Sequence, residues 1–146
     1  SISMKNMAQA ACDELGIELL LSTVTNTSEV KQAAEVLANK LDAIYISNDN
    51  TVVAALTAVT TTTDNYNIPF ISADPSSAPV SGVAVAYGID NYQTGRATGK
   101  LIAQLLEGAK PEDIPVKVQN QPHELGRHVN EALAKKYGLT LPDYLN

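Results

Sequence analysis

Short apolar runs that end in polar knots, separated by stretches of helical periodicity, constrain this chain more than any other feature. Residues 17–23, 43–47, 69–72 and 83–89 are runs of strand length rich in Ile, Leu, Val and Phe. Continuous apolar runs of this kind suit strands buried on both faces. Between and around them, apolar residues recur at three- and four-residue steps. Met4, Met7, Ala8, Ala11, Cys12 and Leu15 form one such stripe, closed by Gly16 where a left-handed cap belongs. Val30, Ala33, Ala34, Leu37 and Leu41 form a second, with Asn26, Thr27 and Ser28 as N-cap candidates.

The pattern continues to the end of the chain. Residues 52–59 read as a helix that frays through Thr60 to Thr63, because β-branched side chains are poor helix formers. A long helix is predicted over 92–107, stopped by Gly108 and Pro111, and a short one over 130–138 between Asn130 and Gly138. Residues 114–118 offer a fifth strand, which Pro115 confines to an edge or a strand start. Alternating strands and helices predict an α/β class with a mainly parallel sheet.

Composition excludes several functions. Ten Lys and Arg against 16 Asp and Glu give a net charge of −6, so no basic surface is predicted for nucleic acid or anionic lipid. Six Tyr, one Phe and no Trp leave little material for a base-stacking platform. The lone Cys12 forms no internal disulfide and reads as a small buried apolar residue. No run is long and apolar enough to span a bilayer.

Catalytic and metal constellations are missing. His123 and His128 are five residues apart, which does not place them on one helical face as a zinc pair requires. Residues 95–100 are one residue short of a phosphate-loop spacing and fall inside a predicted helix. There is no nucleophile elbow and no dinucleotide-binding glycine pattern. No catalytic residue, metal or cofactor is predicted.

In an open α/β sheet, ligands bind beyond the carboxyl ends of the strands, so the polar knots are the residues to inspect. One is Asn48-Asp49-Asn50, the next Asp74 with Ser72 and Ser76, the third Asp90-Asn91-Tyr92. Each sets a carboxylate among neutral donors, which suits an ammonium or hydroxyl group; phosphate would call for glycines, helix N-terminal amides or Arg and Lys. The same residues also serve as N-caps and turn formers, and recurrence at three equivalent strand ends is what favours a site.

Read in order, residues 41–51, 67–70, 87–96, 108–116 and 130–142 resemble the substrate-binding proteins of ABC transporters of the tryptophan/tyrosine type. That resemblance implies the type I periplasmic-binding-protein fold, in which two three-layer, doubly wound lobes close on a ligand. It further implies that this chain corresponds to the latter half of such a protein. Residues 1–82 and 114–146 would be second-lobe-like, while 83–113 would be a crossover strand and helix belonging to the first lobe. Ligand-binding residues carried over by the resemblance are Asn48, Asp49, Asn50, Asp74, the hinge-side aromatic Tyr92 and, more faintly, Ser3.

The function so implied is non-enzymatic: an extracytoplasmic solute-binding component, periplasmic or lipoprotein-anchored, that delivers an amino acid, aromatic by preference, to an ABC permease. A ligand-sensing domain of a transcription regulator or receptor is the alternative with the same fold. The helix over 92–107 would carry Ala97, Leu101, Ile102, Leu105 and Leu106 without a partner sheet. At about 25 cal/mol per Å², a few hundred Å² of bare apolar face costs several kcal/mol. Self-association or element swapping of the chain is therefore expected.

Overall fold

A computed structural model of the chain describes residues 2–80 and 82–145. Helices α1 (Ile2–Leu15) and α2 (Thr27–Ala38) precede strand β1 (Ile44–Ile46). Helices α3 (Asn50–Val53) and α4 (Leu56–Tyr66) then lead to β2 (Phe70–Ser72). Strand β3 (Val85–Ile89), helix α5 (Asn91–Leu106), strand β4 (Leu125–Val129) and helix α6 (Glu131–Lys136) complete the order. The class is α/β, as the alternation predicts.

The four strands form one sheet in the order β1-β2-β3-β4. The first three are parallel, with Ile44 opposite Phe70 and Ile71 opposite Val85, and β4 runs antiparallel to β3. On one face, α2 and α4 close a core of Val30, Ala34, Ile46, Leu56, Val59, Phe70 and Ala86. On the other, Val85 and Ala84 meet Leu145, Leu133 and Tyr137 from α6 and the C-terminal segment. The result is three layers around a mainly parallel sheet. Phe70, Val83, Ala84 and Ala86 are almost fully buried, so the centre of the sheet is its driest part.

Three predicted elements differ. Residues 17–23 form no strand, since among the described residues no backbone ladder pairs them with another segment. Their Ile17 and Leu21 stay exposed. The threonine run does not fray: Thr60 to Thr63 lie well inside α4, and the helix break comes earlier, between Val53 and Leu56. Each hydroxyl bonds a carbonyl of the preceding turn, Thr62 to Ala58 at 3.0 Å and Thr63 to Thr60 at 3.0 Å, so Thr60, Thr62 and Thr63 can be buried without an orphaned donor. Asn67, at φ 53°, then ends α4 in the left-handed conformation.

The last strand is also displaced. Residues 114–118 form no strand, and Val116 is 91% exposed. The edge position is taken by Leu125–Val129, where Arg127 and His128 interrupt the apolar pattern a buried strand would show. Helix α5 spans nearly the predicted residues and buries none of them, and α1 likewise buries none.

Candidate functional site

The three polar knots fall where the parallel strands end. Beyond β1, Asp49 adopts extended backbone angles and caps α3, its Oδ1 accepting from Thr51 N at 2.9 Å and Val52 N at 3.2 Å. Both bonds land on one oxygen, so Oδ2 takes no part in the cap. Asn48 and Asp49 are exposed, and Asn50 opens the helix with its carbonyl bonded to Ala54 N at 3.0 Å.

Beyond β2 the arrangement is tighter. Ser72 Oγ accepts from Asp74 N at 3.0 Å, and the Asp74 carboxylate, only 6% exposed, accepts from Ser76 N at 3.1 Å and from the hydroxyls of Ser76 and Ser77. Burial pushes the Asp74 carboxyl up, but these hydrogen bonds outweigh it and hold the group below the usual carboxylate range. Asp74 is thus ionised and tied into its own turn.

Beyond β3, Asp90 caps α5 through Oδ1, accepting from Tyr92 N at 2.9 Å and Gln93 N at 3.0 Å. Tyr92 is 72% exposed, with the Arg96 guanidinium 5.9 Å from its ring centroid. Ser3 is exposed in the first turn of α1.

Backbone packing links the knots. Ala73 N donates to Ile46 O at 3.0 Å, which ties the β2 exit to the end of β1. A Cβ added at Gly126 would lie 3.3 Å from the Pro75 ring and 3.4 Å from Asp90 Cβ, so the β2 exit, the β3 exit and the start of β4 meet there. Gly88 and Gly126 are the contributors that sequence reasoning missed. A glycine inside a strand, with another backbone nearby, is the signal that could have found them.

None of Asp49, Asp74 and Asp90 forms an ion pair among the described residues. Asp49 and Asp90, each with one oxygen outside its cap, therefore offer negative charge beside amide donors, a combination suited to an ammonium-bearing polar solute, while Asp74 is engaged within its own turn. Among the described residues no group of three or more His, Cys, Asp or Glu side chains is placed to hold a metal ion.

Comparison with known proteins agrees in one direction. The family described as ABC transporter substrate binding protein matches residues 1–146. A tyrosine-binding protein of Clostridioides difficile (strain R20291) is 33% identical over 99 residues, which cover 68% of this chain and 28% of that protein. Among solved structures, a conserved domain protein from Vibrio cholerae superposes with a TM-score of 0.80 at 27% identity, over 99% of this chain and 47% of that one. The ABC domain in complex with L-Trp from Streptococcus pneumonia gives a TM-score of 0.78 at 28% identity, over 98% and 48%. The chain thus spans about half the length of these structures and under a third of the curated relative.

Proposed function

The chain belongs to the ABC transporter substrate-binding protein family, and on that footing we propose that it is part of an extracytoplasmic solute-binding component that delivers an amino acid, aromatic by preference, to an ABC permease. The observation that carries this reading is the row of strand-end carboxylates without cationic partners. It occurs in a chain that superposes along 98% of its length on a relative solved with L-Trp. Asp49, whose Oδ2 is outside the α3 cap, would pair with the ligand ammonium, and Asn48 and Asn50 would donate to its carboxylate. Asp74 would act from below, holding the loop in shape, since both of its oxygens already accept hydrogen bonds. Tyr92 would supply an aromatic wall, and Ser3 a more distant polar contact.

In this reading residues 1–82 and 114–146 belong to one lobe, and 83–113 start from β3 inside that lobe's sheet and cross towards the other through α5. The bare surface of α5 supports that division, because a helix carrying Ile102, Leu105 and Leu106 has apolar surface to place against a second body. Binding is non-covalent and needs no chemistry: lobe closure around the ligand would exclude water and strengthen each polar contact.

Isothermal titration of the full-length protein with Trp, Tyr, Phe, Leu and ribose tests the proposal. Saturable binding of an aromatic amino acid is expected. Heat from ribose alone, or from none of the five, would overturn it.

A further inference from the structure

A cavity of about 260 Å³ opens between α5 and the connection that leads to β4, and its wall contains none of Asn48, Asp49, Asn50, Asp74 or Tyr92. On the α5 side, Gln93, Arg96 and Lys100 face it at helical spacing; on the other side stand Lys117, Gln119, His123 and Glu124. Three of the ten Lys and Arg of an acidic chain thus converge on one hollow.

The charges there do not cancel. Lys117 Nζ pairs with Glu124 at 3.1 Å, and that contact holds the Glu124 carboxyl below its ordinary range. Arg96 and Lys100 form no ion pair among the described residues. Like charges four residues apart on a helix repel, so the pair is at its most favourable with an anion between them.

The neutral groups are set to match. Thr94 Oγ1 lies within hydrogen-bond distance of both Gln119 Oε1, at 2.6 Å, and Asp90 O, at 2.9 Å, so its one proton is shared and the Gln119 amide is tied to the start of α5. Arg96 is held over the Tyr92 ring, so its fork is partly ordered before any ligand arrives. His123 adds a further ring nitrogen to the wall.

We propose that this cavity is a second binding site, for a small oxyanion bearing phosphate or carboxylate groups. Arg96 grips the anion in bidentate fashion, Lys100 neutralises it, and the Gln119 and Gln93 amides fix its orientation. Glu124 faces the same space, but its charge is already engaged by Lys117. The site shares no lining residue with the amino-acid reading, although Arg96 rests on the Tyr92 ring, and either can fail alone.

The test is titration of the full-length protein at low ionic strength with inorganic phosphate and with citrate, each with and without saturating L-Trp. Saturable binding of either anion is expected, weakened about tenfold or more in R96Q/K100Q and unchanged in K31Q, a control whose lysine pairs with Glu35 on α2. The preferred anion then identifies the ligand's acidic group. No binding of either anion, or equal binding by R96Q/K100Q, overturns the proposal whatever the L-Trp result. Retention of the thermal midpoint in R96Q/K100Q shows that the exposed substitutions left the fold intact.

Discussion

Gly88 and Gly126 stand opposite one another across the antiparallel β3–β4 pair, and the backbone leaving β2 lies directly over them. A Cβ built on Gly88 would sit 2.0 Å from the Ala73 carbonyl oxygen, and one on Gly126 would sit 3.3 Å from the Pro75 ring. The loop that carries Asp74 can therefore close onto the sheet only where side chains are absent.

Gly88→Ala should be severe. The atom in the way is backbone, so the 73–75 loop must lift, at a cost of about 3 kcal/mol or more. Gly126→Ala meets only a ring edge and Asp90 Cβ, and should cost about 1 kcal/mol. Urea unfolding of both variants measures the difference; a Gly88→Ala loss no larger than that of Gly126→Ala would refute the close approach.

Asp74 predicts a pH dependence. Its folded carboxyl titrates below the unfolded value of about 3.9, so its contribution is fully present above that value and is lost as pH falls through the folded one. Asp74→Ala should cost about 1–3 kcal/mol at neutral pH, by removing the acceptor of the Ser76 and Ser77 hydroxyls. The gap between the parent chain and Asp74→Ala should then narrow as pH falls below about 3.9 and through the lower folded titration. A gap that widens on acidification would show the opposite linkage.

Much of the fold is legible because three parallel strands and their helices obey simple periodicities. The strands at Ile44, Phe70 and Val85 sit in apolar runs, and the N-caps at Asn26, Asp90 and Asn130 are all made. What escaped reading was decided by tertiary neighbours. Residues 17–23 have strand composition, yet a strand exists only where a partner ladder exists. Leu125–Val129 has little strand character, yet it pairs along β3 through five residue positions. The candidate site was legible as a row of knots. The division of labour within it was not, because only the coordinates distinguish Asp49, with one oxygen outside its cap, from Asp74, with both occupied.

Two glycines inside α5 give a stabilising prediction. Gly95 and Gly99 have nothing within 4 Å of an added Cβ. Alanine at either position should stabilise the chain by about 0.5–1 kcal/mol, since each removes backbone freedom from the unfolded state at no steric cost. Thermal unfolding of the 146-residue chain tests this, and a lowered midpoint in Gly99→Ala would mean that another surface packs against that face.

The exposed apolar residues of α5 predict association when this chain is prepared alone. Ile102 is 50% exposed, Leu105 42% and Leu106 84%. Sedimentation should show a mass that rises with concentration, and Leu106→Glu with Ile102→Glu should return it towards a monomer. A monomer at all concentrations would show that the face is tolerated bare.

Asp49 offers the sharpest separation of folding from binding. Its Oδ1 caps α3, and Asn is as good an N-cap as Asp, because the amide oxygen accepts the same two backbone donors. Asp49→Asn should therefore change stability by less than about 0.5 kcal/mol, while Asp49→Ala should cost about 1 kcal/mol through the lost cap. Binding should respond differently. If Oδ2 pairs with a ligand ammonium, Asn and Ala both remove the charge, and both should weaken amino-acid affinity by about tenfold or more. Calorimetric titration beside denaturant unfolding for the two variants gives four numbers. Affinity that falls only in Asp49→Ala, in step with stability, would assign Asp49 to the cap alone and move the ammonium partner to Asp90, whose Oδ2 is likewise outside its own cap.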